Sequence, residues 1–182
     1  MTDCLAKVRS NQMADSPFIH SNYTLRLCQL RELTQAEIIA MSQTLAQMEP
    51  WLTLNYSAKT LANYLGCQDP SLHQYGITSP TQQVTGVICI RYPWLRGPYI
   101  ELFAVSHSQQ GQGIGRDIIN WLVTELRQNT NLHNLWALVS EFNHEALHFY
   151  QKMGFVEMAQ LDDLVVTGYN EILLRKVLTS SS

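Results

Sequence analysis

The sequence predicts a mixed α/β (α+β) domain: one central, mostly antiparallel, twisted sheet flanked by helices, with a single parallel strand–helix–strand crossover. Three observations carry this expectation. Strand-like apolar runs bounded by turn residues recur along the chain. Helical periodicity with capping signals separates some of them. The stretch from Tyr99 to Val139 reads strand, long amphipathic helix, strand, and such a connection is expected to be right-handed and to pair its strands in parallel.

Composition limits the alternatives. The chain has 182 residues, 46% of them hydrophobic and 15% charged, which excludes general disorder and allows a sizeable core in one domain. Its 12 Lys and Arg against 15 Asp and Glu leave a formal charge of −3, so no basic footprint for nucleic acid is indicated. No apolar run approaches the roughly 18 residues of a membrane span. The first twenty residues carry Asp3, Lys7, Arg9 and Asp15 and lack a signal core. Cys4, Cys28, Cys67 and Cys89 form no C-x-x-C pair, and Cys28 and Cys89 fall in expected strands as buried thiols. A reducing cytoplasmic location is the default expectation. The expected organisation is a loose leader over 1–21, one domain over 22–178 and a flexible tail over 179–182.

Tyr23 to Leu30 alternates and predicts the first strand. Thr34-Gln-Ala-Glu37 has the form of a capping box, opening a helix through Ile38, Met41 and Leu45 that stops near Pro50. Ser57 to Leu65 predicts a shorter helix closed by Gly66. Tyr75–Thr78, Val84–Tyr92 and Tyr99–Val105 predict strands, with 93–98 as a hairpin loop. Ile114, Ile118, Ile119, Leu122, Val123 and Leu126 make 114–127 a helix. Leu135–Val139 predicts a short buried strand. Asn143 caps a helix ending at Gly154, and 155–159 and 171–177 predict a final antiparallel pair.

The chemistry is expected at the turn Gln110-Gly111-Gln112-Gly113-Ile114-Gly115-Arg116, between a strand and the longest helix. A helix N-terminus carries unpaired N–H groups and a partial positive charge, and glycines let the backbone curl so that several N–H groups converge on one anion. Such a turn is a ready phosphate cradle. Arg116 adds a full positive charge where the helix alone would disfavour it, which makes sense beside an anion. A Walker loop is excluded by the lack of Gly-Lys-Ser/Thr, and a dinucleotide fingerprint by Arg116 where its last glycine belongs.

In these residues the sequence resembles the GNAT superfamily of acetyl-CoA-dependent N-acetyltransferases. Gln110, Gly113 and Gly115 match its Q/R-x-x-G-x-G/A signature between the fourth strand and third helix, and Ile100–Val105 is similar to that strand. Ser106-His107-Ser108 replaces the usual Asp-Pro after it. A second element, Asn143-His-Glu-Ala146-Leu-His-Phe149-Tyr150-Gln-Lys152-Met-Gly154-Phe155, is similar to the family's N-x-x-A-x-x-F-Y-x-x-x-G-F. The resemblance covers 84–177 well and the first 80 residues weakly. It implies a GNAT-like fold with acetyl-CoA as cosubstrate. Backbone amides of Gln110, Gly111, Gln112, Gly113, Ile114 and Gly115, with Arg116, would bind the pyrophosphate. Phe103, Ala104 and Val105 would pair with the pantetheine arm, and Asn143, Ala146, Phe149, Tyr150 and Lys152 would complete the cofactor-binding set.

The same helix contains His144-Glu145-x-x-His148, formally a zinc-peptidase pattern. Helix geometry places Ala146, Phe149, Tyr150 and Met153 around the apolar face and both histidines on the polar side, and no third ligand is indicated. No metal is therefore expected, and a zinc hydrolase is a remote alternative.

Amine acetylation needs a neutral amine to attack a thioester carbon, a base to take a proton and, for the leaving thiolate, an acid. Tyr150 is the candidate acid. Glu101 is the candidate base or water-orienter, placed by the period of two on the face of Phe103 and Val105, or else a salt-bridged sheet-surface glutamate. The family usually shapes its acceptor pocket from the link between the first two helices and from late loops, which implies Met48 to Tyr56, with Glu49 and Trp51, and Asp162 and Asp163. The acids would favour a cationic amine, or are solvated loop residues. The expected activity is acetyl transfer from acetyl-CoA to a primary amine of a small molecule, peptide or protein, by a monomer or homodimer with no nucleic-acid or membrane partner. A non-catalytic acyl-CoA-binding or sensing domain is the alternative.

Overall fold

The computed structural model describes residues 17–79 and 82–178. Its elements are β1 (Asn22–Thr24), β2 (Gln29–Arg31), α1 (Gln35–Leu45), α2 (Ala58–Leu65), β3 (Leu72–Thr78), β4 (Val84–Trp94), β5 (Gly97–Val105), α3 (Ile114–Asn129), β6 (Asn134–Ser140), α4 (His144–Lys152), β7 (Val156–Leu161) and β8 (Glu171–Val177). They form one eight-stranded sheet in the order β1-β2-β3-β4-β5-β6-β8-β7. Every neighbouring pair is antiparallel except β5 and β6, the expected parallel crossover. Among the described residues no helix is long and apolar enough to cross a membrane.

Both sheet faces are covered, and strand alternation sorts the apolar residues between them. Ile88, Ile90, Ile100, Ala137 and Ile172 face a core completed by Ile118, Leu122 and Leu126 of α3 and Tyr150 of α4. Val87, Cys89, Leu102 and Ala104 face a second core with Ile38, Met41 and Leu45 of α1 and Leu61 and Leu65 of α2. Thr34 and Glu37 form the reciprocal capping box of α1, and the Glu37 carboxylate also takes both terminal nitrogens of Arg31. The Ser57 hydroxyl caps α2.

Several local expectations change. The loop expected over 93–98 shortens to 95–96, because β4 runs to Trp94 and β5 starts at Gly97, which pairs with it. The strand expected over 23–30 is two strands of a hairpin, because Leu25 N–H closes a turn on the Cys28 carbonyl and Leu27 N–H is captured by Asp117 of α3. Cys28 therefore sits in a turn, still buried, its thiol pushed up to about 11 by desolvation and the nearby Asp117 charge. The leader expected over 1–21 ends in packed structure: Phe18 is buried, its N–H donates to Glu125, and its carbonyl accepts from Tyr75. Residues 1–16 and the expected tail over 179–182 lie outside the described residues.

Candidate active site

The parallel ladder between β5 and β6 consists of the pairs Tyr99–Trp136 and Ile100–Ala137. Beyond Ile100 the β5 edge facing β6 runs unpaired to Val105, while β6 continues to Ser140. A sheet edge without a strand partner can template an extended ligand arm. The opening leads into a cleft of about 960 Å³ lined by Phe103, Ala104, Val105, residues 109–116 and α4 residues from Asn143 to Met153.

The glycine-rich turn closes one end of this cleft. Gly113 is the N-cap of α3 with φ 86°, and no side chain caps the helix. The first N–H groups of α3 thus have no capping side chain, next to the positive end of its dipole. A left-handed N-cap without a side chain lets the chain enter α3 while the turn curls over the cleft. Gly115 serves a different need: a Cβ there would stand 3.0 Å from the Phe149 ring, so its absence lets α3 and α4 approach. The Gln110 side chain donates to the Val105 carbonyl at 2.9 Å, tying the turn to the end of β5. Arg116 is exposed and makes no ion pair among the described residues.

Across the cleft, Asn143 caps α4 by accepting from the Ala146 N–H at 3.1 Å. Phe149 packs on Phe103 with ring centroids 6.0 Å apart, forming an apolar wall. Tyr150 lines the cleft but is 6% exposed, set between the Phe149 and Phe155 rings. Burial, reinforced by the neighbouring Tyr99, pushes its phenol well above the ordinary tyrosine range, so it stays protonated at any physiological pH. Its hydroxyl has no hydrogen-bond partner among the described residues. Lys152 lies exposed at the rim.

Glu101 is not brought to this wall. The β4–β5 register shifts between Cys89–Leu102 and Ile90–Ile100, making Glu101 the extra residue of a bulge. The period of two breaks there. Phe103 and Val105 pack on the α3–α4 side, whereas Glu101 meets Arg91 and influences Tyr64 of α2. The Arg91 guanidinium grips both oxygens of Glu101, and its other donors take Asp69 and Ser71, each at 2.8 Å. That guanidinium, with help from Ser71, holds the Asp69 carboxyl down at about 2.

The residues expected to shape an acceptor pocket divide. Met48, Glu49 and Trp51 line the cleft mouth, with the Glu49 carboxylate taking the Thr53 hydroxyl at 2.8 Å. Tyr56 packs on the α1–α2 core and acts electrostatically on Tyr99. Asp162 and Asp163 are exposed and serve the β7–β8 loop, accepting from Gln160 and from the Gly168 N–H. His144 and His148 are exposed on the outer face of α4, and among the described residues no three metal-ligating side chains converge. Arg91, Tyr99 and Glu171 belong to neither sequence motif. The available signal was an acid opening an apolar strand, Glu171-Ile-Leu-Leu, where a surface glutamate and a buried one look alike.

The sequence matches the model of the "Acetyltransferase (GNAT) family" over residues 33–155. Among solved structures, an acetyltransferase from Thermus thermophilus superposes with a TM-score of 0.66 at 18% identity, covering 86% of this chain and 100% of that one. The spermidine N-acetyltransferase of Vibrio cholerae, in complex with CoA and spermine, gives 0.64 at 17% identity over 84% and 96%. Nourseothricin acetyltransferase gives 0.55 at 21% identity over 62% and 68%. At these identities the structural likeness is one of fold. The family match, spanning the glycine turn and the Asn143–Phe155 helix, carries the assignment: this chain belongs to the GNAT family of acetyltransferases.

Proposed function

We propose that this protein transfers an acetyl group from acetyl-CoA to a primary amine by direct attack on the thioester. The observation that carries the reading is the unpaired β5 edge, which leads along the cleft to the uncapped N-terminus of α3. That geometry suits an extended pantetheine arm ending in a diphosphate. The backbone of Phe103 to Val105 would pair with the arm, and the amides of 110–115, with the Arg116 charge, would take the phosphates. Holding both reactants in one cleft lowers the entropic part of the barrier.

The attacking amine forms the new C–N bond and loses a proton, while the C–S bond breaks and the sulfur gains negative charge. Tyr150, always protonated, is suited to donate to that sulfur. Because its pKa is raised, the useful contribution is a preorganised hydrogen bond to developing charge, with full proton transfer completing late. Glu101, fixed by Arg91, is suited to orient a water that relays the amine proton. The neighbouring Vibrio cholerae enzyme is named for acetylation of spermidine, so small cationic amines head the list of acceptors to try.

The test is thiol release from acetyl-CoA by the purified protein, with and without a mixed library of primary amines. Amine-dependent release, with the acetylated product identified by mass, is expected. Coenzyme A binding with no turnover across the library would instead favour a non-catalytic acyl-CoA sensor.

A further inference from the structure

The cleft runs from one face of the sheet to the other. Of the residues that line it, Phe103, Val105 and Phe149 pack on the α3–α4 core, whereas Ala104, Met48 and Trp51 pack on the α1–α2 core. Alternation along β5 therefore carries the cleft past the unpaired strand edge. The glycine turn and the start of α3 hold the α3–α4 end. A thioester carrier bound there leaves the α1–α2 end, at Met48 and Trp51, for the second reactant.

The surface at that end is apolar and fixed. Met48 is 6% exposed although it lines the cleft, and Trp51 is half-buried with the α1–α2 core behind it. The segment carrying them is braced by its own backbone. The Leu52 N–H donates to the Met48 carbonyl at 2.9 Å, the Leu54 N–H to that of Pro50 at 3.0 Å and the Tyr56 N–H to that of Trp51 at 2.9 Å. An indole held from behind, beside a pliable thioether, can cover an apolar group with little further ordering.

Charge at this end is sparse. Glu49 is the one carboxylate there among the described residues. It is exposed, and Thr53 engages it with its hydroxyl at 2.8 Å and its N–H at 3.3 Å. Over the whole cleft Glu49 and Glu145 are matched by Arg116 and Lys152. Two acids of β5 and β8 do not line it: Glu101 is gripped by Arg91, and Glu171, 3% exposed, accepts the Ser140 hydroxyl. The amine that attacks must be neutral, so a monoamine reacts without charge. A polyamine keeps its other ammonium groups, and each of them then needs a partner that the mouth does not supply.

We infer that the acceptor is a monoamine with an aromatic or aliphatic body, seated against Trp51 and Met48, and that polyamines are poor acceptors. The inference rests on the acetyltransferase reading. It adds what that reading leaves open: the non-reacting part of the acceptor and the two side chains that select it.

The experiment is steady-state thiol release from acetyl-CoA by the full chain with phenethylamine, hexylamine, ethanolamine and spermidine, at low and high salt. It compares wild type with Met48→Ala, Trp51→Ala and Trp51→Phe. In wild type, kcat/KM for phenethylamine or hexylamine is expected to exceed that for ethanolamine and spermidine by about tenfold or more, with little dependence on salt. Trp51→Ala and Met48→Ala should each raise the KM of the preferred amine by about fivefold and leave the KM for acetyl-CoA unchanged. Trp51→Phe should recover part of the loss. Thermal melts and CoA affinity would show that the variants fold, and the wild-type ranking of amines tests the inference even if they do not. A higher kcat/KM for spermidine or ethanolamine, turnover confined to polar amines, or an unchanged amine KM in both folded alanine variants overturns the inference. Thiol release with no amine of this panel or of the mixed library would instead strike the acetyltransferase reading, and the inference with it.

Discussion

Tyr150 and Glu101 differ in what holds them, and so in what their substitution should do. Tyr150 is kept protonated by burial between aromatic rings, with its hydroxyl unpartnered among the described residues. Removing that hydroxyl leaves the packing intact. Tyr150→Phe should therefore lower kcat by roughly 10²-fold while CoA affinity stays within about twofold, as steady-state kinetics and calorimetry would show. Unaltered turnover at saturating acetyl-CoA would remove Tyr150 from the chemistry. Glu101→Gln should lower turnover and shift its pH profile, and an unchanged profile would remove Glu101 from proton transfer. The two residues also mark how far spacing alone reaches. Tyr150 follows from helical period and motif, because α4 is regular. The period of two puts Glu101 on the face of Phe103, but one bulge opposite Cys89 and Ile90 turns it to the other, and no residue type announces that bulge. The burial of Glu171 is not legible for a related reason: it comes from strands joined far along the chain.

Among the elements, the helices were the most legible, since caps and periods are local. The capping box of α1 was readable as Thr34-x-x-Glu37, but the added grip of Arg31 on Glu37 was not. That contact has a measurable pH signature. Arg31 first, and then the Thr34 N–H, lower the Glu37 pKa from 4.5 to about 2. A depressed carboxylate stabilises the fold above its unfolded pKa, and the contribution is lost as pH falls through the folded one. Glu37→Gln should therefore cost about 0.5–1 kcal/mol near neutral pH, the value of a partly exposed ion pair. The difference from wild type should shrink between pH 4.5 and about 2, as denaturant melts across that range would show. A constant difference would mean that the Arg31 contact contributes nothing. The β1–β2 hairpin looks like one strand in the sequence because its turn is fixed by Asp117 of α3, a partner outside the local window.

For the whole molecule, the strand–helix–strand crossover and the antiparallel character followed from the order of elements and the handedness of connections. The insertion of β8 between β6 and β7 did not, since a terminal strand pair can dock on an edge in either order. That insertion is what sets Glu171 against Ser140. Nor was the docking of Phe18 legible, because it depends on Glu125, buried late in α3, taking both the Phe18 N–H and the Tyr23 hydroxyl. The parting of β5 and β6 is likewise a property of the assembled sheet, and the proposed function depends on it. Its direct test is titration of coenzyme A into the purified protein by calorimetry. Saturable heat with one site per chain is predicted, accompanied by a rise in melting temperature as ligand binds the folded state. No heat at millimolar coenzyme A, with no shift in the melt, would contradict it.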